Sequence, residues 1–341
     1  MLRQWRWLML ALAGLALCGT VLFWYLNSIY SVRQGYTAPS NLVVGGREPI
    51  TPIPLDLKLD ARKVALGGRL FHDPQLSSDN TISCAHCHNL ANGGMDSLPR
   101  PFGIGGQEGN INVPTVFNSG FNFRQFWNGR AASLEDQIDF PLNNPLEMDS
   151  NWGEVTGKLE HDENYRRDFA AIYPEGIQPS TVKDAIATFE RSLITPNGKF
   201  DRFLRGEKEA LDKEELAGYK LFKSLGCISC HQGRNVGGNM YEKLGLLKNY
   251  FEHRGNVQVM DYGRYNVTQI EEHRYEFRVP SLRNVALTAP YFHDASASTL
   301  EQAVAVMAEY QLGVNLSKDE IDKIVRFLNT LTGFYQGEAS K

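Results

Sequence analysis

Two short stretches, CAHCH at 84–88 and CISCH at 227–231, constrain this chain more than anything else in its 341 residues. Both read Cys-x-x-Cys-His, the attachment pattern of a c-type heme. Two thiols three residues apart reach the two vinyl groups on one edge of a heme and form thioethers. The histidine that follows is carried under the iron as an axial ligand. Cys84, Cys87 and His88 therefore hold one heme, and Cys227, Cys230 and His231 a second, while His86 is a variable position inside its motif. A zinc ribbon would need its second cysteine pair about 15–20 residues away, whereas the two pairs here are 143 apart. A thioredoxin-type pair would leave the repeated histidine unexplained.

The chain also repeats at longer range. At a constant offset of 166, NVPTVFNSGFNFRQFWNGRAASLEDQI (112–138) aligns with RVPSLRNVALTAPYFHDASASTLEQAV (278–304). Val113 meets Val279, Pro114 meets Pro280, Asn118 meets Asn284, and Trp127 meets His293. His88 lies 26 residues before Pro114, but His231 lies 49 before Pro280, so the second half carries a 23-residue insertion. Its Gly-, Asn- and Tyr-rich composition around 233–265 reads as a loop. Each half is expected to be one mainly α, cytochrome c-like heme domain. Apolar spacing predicts helices over 180–194 and 317–331, the latter opened by a Ser317–Glu320 capping box. The breaker-rich, then charged segment 195–213 marks the junction. The expected organisation is an anchor at 1–32, a linker at 33–50, a first heme domain at 51–203 and a second at 204–341.

The anchor follows from an uncharged, mostly apolar run from Trp7 to Leu26, long enough to span a bilayer. Arg3 and Arg6 before it predict the N-terminus inside and the hemes on the outer side of the membrane. Residues 1–33 hold three arginines and no acid; against a formal net charge of −4, the rest of the chain carries −7. Such a body argues against nucleic acid and suits basic protein partners.

What faces each iron from the far side separates an electron carrier from an enzyme. The candidates are His72, His161, His253, His273 and His293, with Met95, Met148, Met240, Met260 and Met307. Pattern alone does not choose, because a lone methionine at helical spacing is usually core.

The order of Cys-x-x-Cys-His, VPTVFN, FWNGRA, NNPLEM, the second Cys-x-x-Cys-His, VPSLRNVALTAPYFHD and QLG resembles the bacterial diheme cytochrome c peroxidases, over roughly residues 58–335. The resemblance implies hydrogen peroxide as substrate, split at the first heme, and an electron-storing second heme. It implies Met307 as the second heme's methionine ligand, and a thioether there favours ferrous iron. Trp127 matches the tryptophan between the hemes, Glu147 the acid of the peroxide pocket and Gln137 its neighbour. His293 matches a histidine near the second heme. Asn112, Thr288 and Pro290 match a calcium site, whose oxygen ligands suit a hard cation. The implied donor is a small periplasmic cytochrome c or copper protein, with a membrane quinol as the alternative; the resemblance leaves room for a homodimer.

One departure stands out. Many members carry a histidine in the loop after the first heme motif, blocking the iron until the other heme is reduced. Here that loop, MDSLPRPFGIGGQEGN (95–110), has none; the expected position falls near Ile104–Gly105, and Met95 is the nearest substitute. The first heme is therefore expected to be open, or only weakly blocked, in the oxidised protein. Two rival readings remain: a diheme electron carrier, and the related enzymes that mature a protein-derived quinone cofactor. The latter replace the second heme's methionine with tyrosine, and Tyr310 lies one turn from Met307.

Overall fold

Asp60 accepts a hydrogen bond from Arg62 N and opens the first helix, α1 (Ala61–Phe71). The computed structural model describes residues 48–336 and the backbone of Glu338–Ala339. The expected anchor at 1–32 and most of the linker lie outside the described residues. Among the described residues no helix is long and apolar enough to cross a membrane. The longer helices after α1 are α2 (Leu134–Asn143), α3 (Trp152–His161), α4 (Glu163–Ile172), α5 (Pro179–Ser192), α6 (Lys213–Ser224), α7 (Leu300–Val306) and α8 (Lys318–Asn329). Strands are few: β1 (Tyr241–Lys243) pairs antiparallel with β2 (Glu276–Arg278), and β3 (Phe334–Tyr335) with β4 (Glu338–Ala339).

The two expected helices form where the apolar period placed them. Val182, Ile186, Phe189 and Leu193 are buried along α5, and Ile324, Leu328 and Leu331 along and just beyond α8. Ser317 and Glu320 cap α8 reciprocally. These helices serve two separate cores. Leu66, Leu70 and Phe71 of α1 pack with α5 in the first, and Tyr219 and Phe222 of α6 with Phe327 of α8 in the second. Both pairs cross at a glycine. A Cβ on Gly67 would lie 1.9 Å from the Ala185 carbonyl oxygen, and one on Gly218 1.9 Å from that of Lys323. Only glycine lets the backbones approach so closely.

The duplication extends to the backbone. Asn118 and Asn284 both take left-handed φ, 60° and 58°, and Phe126 and Phe292 both take 69°. Single bridges join Gln125 to Ala131 and, at the same offset, Tyr291 to Ala297. The two asparagines meet at Thr195, whose hydroxyl oxygen lies 2.8 Å from Asn118 Nδ2 and 3.1 Å from Asn284 Nδ2.

Contacts cross the expected boundaries, and one expectation needs correction. Within the expected junction, residues Lys199–Leu204 form a helix whose Phe200 belongs to the second core. Its Asp201 is fully buried against Arg283 at 2.7 Å. The boundary at residue 51 is crossed too, since Ile50 packs in the second core and Ile53 N donates to Asp201. Arg283 also donates to the Thr51 carbonyl, so one buried cation gathers strands of sequence from both expected domains. The 233–265 insertion, expected as loop, contributes β1 and a short helix, Tyr250–Arg254. It does so because Tyr250 and Phe251 have apolar partners, Phe277 and Tyr310, that lie far away in sequence.

Candidate active site

Ser83 precedes the one-turn helix Cys84–Cys87, which presents both thiols and then His88 to a single deep cavity. His88 Nδ1 lies 3.3 Å from the Gly94 carbonyl, and His231 Nδ1 lies 3.3 Å from that of Val236. Such a contact fixes the tautomer and leaves Nε2 as the iron-facing lone pair. Burial pulls the pKa of both histidines down to about 4, so each imidazole is neutral, the form that ligates metal. His86 is exposed and turns away from this role, its Nε2 lying 3.0 Å from the Phe102 carbonyl.

Gln137 and Glu147 line the same cavity. In α2, Leu134, Gln137, Ile138 and Pro141 follow the three- and four-residue spacing of one helix face, and all four line the cavity. The chain then turns through Asn144, whose Nδ2 donates to Glu147 Oε1 at 2.7 Å. Burial raises the Glu147 carboxyl above the usual carboxylate range, opposed by the Asn144 hydrogen bond and the charge of Arg130. Arg130 also lines the cavity, and its guanidinium lies 3.4 Å from the centre of the Phe126 ring. The loop that lacks the blocking histidine braces this acid: Ile104 N donates to the Glu147 carbonyl at 2.9 Å. Met95, the nearest substitute, is fully buried, and its sulfur accepts from Ser97 N and Oγ.

Trp127 shares the cavity, and its indole N–H donates to the Asn112 carbonyl at 2.8 Å. Its ring centre is 6.3 Å from that of His293. His293 is fully buried, with Nε2 2.7 Å from Asp261. Asp261, His293 and Asp294 cluster tightly, but Arg254 already pairs with both carboxylates. Asn112 Nδ2 points at the Pro290 and Phe292 carbonyls, at 2.7 and 3.0 Å, while its buried Oδ1 has no partner. Thr288 closes the turn before them, its hydroxyl donating to Val285 O. Met307 is half-buried at the start of a π-helical turn, Met307–Gln311, an irregularity frequent at functional sites.

Two buried charged residues on the cavity wall escaped sequence reasoning. Arg278 is 4% exposed; its Nε donates to the Phe126 carbonyl and its Nη1 has no partner. It occupies the place that the duplication pairs with Asn112, which was the available signal. Glu190 is 6% exposed with an unpaired Oε2, and burial raises its pKa to about 8. Its position four residues after Ile186, on the apolar face of α5, was the clue. An attachment pair, an oriented neutral imidazole and a buried guanidinium with one partnerless nitrogen, which suits a heme carboxylate, together fit a covalent heme here.

Residues 61–209 match the di-haem cytochrome c peroxidase family. The chain is 50% identical over 289 residues to the cytochrome c peroxidase Ccp of Escherichia coli, covering 84% of this chain and 62% of that protein. It is 44% identical over 307 residues to the cytochrome c551 peroxidase of Nitrosomonas europaea, covering 90% of each. The chain belongs to the diheme cytochrome c peroxidase family. It spans less than two thirds of the E. coli relative's own length. In fold it is similar to a MauG-like protein associated with microbial copper homeostasis, at 28% identity and a TM-score of 0.72, covering 86% of this chain and 95% of that one. Two c-type hemes follow from membership, one at each Cys-x-x-Cys-His motif.

Proposed function

We propose that this chain reduces hydrogen peroxide to water, with electrons from a small periplasmic cytochrome c or copper protein or, alternatively, a membrane quinol. The observation that carries the reading is the one cavity lined by Cys84, Cys87 and His88 together with Gln137 and Glu147. Heme, when bound, supplies the iron at which the O–O bond is broken. Glu147 takes the proton from one peroxide oxygen and returns it to the other, which leaves as water. Asn144 holds that carboxyl in one rotamer through its hydrogen bond. The Gln137 amide offers further hydrogen bonds to the substrate, and the Arg130 cation stabilises developing negative charge. Cys227, Cys230, His231 and Met307 would hold the second heme, which would supply electron storage, and Trp127 would serve the transfer toward the first. The apolar run at 7–26 would tether this unit on the periplasmic face of the inner membrane.

Calcium is part of the proposal. Turning the Asn112 amide over would aim its partnerless Oδ1 where Nδ2 now meets the Pro290 and Phe292 carbonyls, making an all-oxygen site that suits a hard cation. Thr288 would add a further oxygen.

Electron paramagnetic resonance of the oxidised holoprotein tests the enzyme reading. One high-spin ferric heme beside one low-spin heme is expected, with turnover beginning without a lag. Two low-spin signals would sink the open-iron claim. Met307→His tests the second heme: its potential should fall strongly if the thioether is the ligand and stay unchanged if it is not. The quinone-maturation alternative is disfavoured because the Tyr310 hydroxyl is already committed to His253, 2.6 Å away.

A further inference from the structure

Tyr310 is 6% exposed and packs in an aromatic cluster with Tyr250, Phe251 and Phe277, against which Trp127 also packs. Ring contacts lead from Trp127 to His293 at 6.3 Å, to Phe251 at 6.0 Å, to Tyr250 at 5.3 Å and to Tyr310 at 5.3 Å. At the end of this path the phenol meets a base, with Tyr310 Oη 2.6 Å from His253 Nδ1. His253 itself is exposed. A buried phenol is thus joined to an imidazole that can pass charge to water.

That pairing matters because a phenol gives up an electron readily only when its proton leaves at the same time. A neutral imidazole at hydrogen-bond distance is a suitable acceptor, and its cation is best placed where water hydrates it. Three other buried tyrosines lack one half of the arrangement. Tyr291 donates to a backbone carbonyl, which takes no proton. Tyr165 and Tyr173 reach the carboxylates of Asp73 and Asp184, but their aromatic contacts run to Phe169 and stay in the first core.

We propose that Tyr310 is a redox-active tyrosine that supplies an electron to peroxide reduction when no donor is bound. Reducing one peroxide to two waters consumes two electrons and two protons. Tyr310 supplies one electron and the cofactor the other. As the electron leaves, the phenolic O–H bond breaks and its proton bonds to His253 Nδ1, leaving a neutral tyrosyl radical and an imidazolium. An electron from the donor protein and return of that proton restore the phenol. The hydrogen bond stores an oxidising equivalent at a defined place instead of letting it attack the core. The inference rests on the peroxide reading and deepens it.

The test mixes oxidised holoprotein with one equivalent of hydrogen peroxide, no donor present, and freezes samples for paramagnetic resonance while heme absorbance is followed. A radical signal with tyrosine ring-proton splitting is expected, narrowing in protein grown on ring-deuterated tyrosine. Tyr310→Phe, which keeps the packing, should abolish it. His253→Gln should slow its appearance by about a hundredfold, the low end of what a positioned base contributes. Heme absorbance that responds to peroxide with no tyrosyl signal, or a signal that survives Tyr310→Phe, overturns this inference alone. Absorbance that does not respond overturns the peroxide reading and this inference with it.

Discussion

Glu147→Gln lowers kcat for peroxide reduction by about 10²- to 10⁴-fold, the range that a positioned acid–base group contributes. The substitution keeps the shape of the side chain and the oxygen that accepts from Asn144 Nδ2, so the pocket should stay assembled. What it removes is a proton carrier between the two peroxide oxygens. The pH profile supplies the second readout. Burial holds this carboxyl above its ordinary value of 4.5, so the working carboxylate is depleted as pH falls while ordinary surface carboxylates are still ionised. Wild-type activity should therefore decline on the acid side above pH 4.5, and that limb should vanish in the glutamine variant. Unchanged heme spectra would show that both cofactors remain seated. An acid limb that persists in Glu147→Gln would mean another group titrates, and Glu147 would lose its assigned role.

Gly67→Ala and Gly218→Ala should each destabilise the fold, against the usual benefit of alanine in a helix. Alanine is favoured over glycine by about 1 kcal/mol through helix propensity. Here the added methyl would sit 1.9 Å from a backbone oxygen of the crossing helix, Ala185 for Gly67 and Lys323 for Gly218. The helices must separate, and overpacking of this kind costs about 1–3 kcal/mol, occasionally more. A backbone oxygen cannot swing aside as a side chain can, which places these two sites at the upper end. Thermal unfolding of the holoprotein checks the expectation, with Gly157→Ala as the opposite case. Gly157 also lies within a helix, α3, but a Cβ there meets nothing within 4 Å, so that variant should be neutral or stabilising. If Gly67→Ala or Gly218→Ala unfolds no earlier than Gly157→Ala, the glycine crossings are not what sets the helix approach.

The chemistry that depends on short spacing is legible in the order of the amino acids. Cysteines three apart with a histidine after them can be read as heme sites because the reactive atoms are neighbours along the chain. The helices over 180–194 and 317–331 follow from a period of 3.6, and the duplication follows from an offset of 166 that the backbone repeats at Asn118 and Asn284. The resemblance adds Gln137 and Glu147, and both line the cavity that holds His88.

Tertiary structure alone decided what depends on residues distant in sequence. Arg278 and Glu190 look like ordinary charges until the fold strips them of water and leaves an atom of each unpaired. Met95, near His88 in sequence, has its sulfur occupied by hydrogen bonds from Ser97. Asp201 and Arg283, 82 residues apart, cross the expected domain boundary as a buried pair, and Tyr310 finds His253 across 57 residues. The sequence by itself determined where the two heme-attachment motifs stand and where two of the longer helices form, since motif spacing and helix period act within a few residues. Which charges are desolvated, which backbones touch and which phenol meets a base were decided by packing, because burial is set by what the fold brings in from elsewhere.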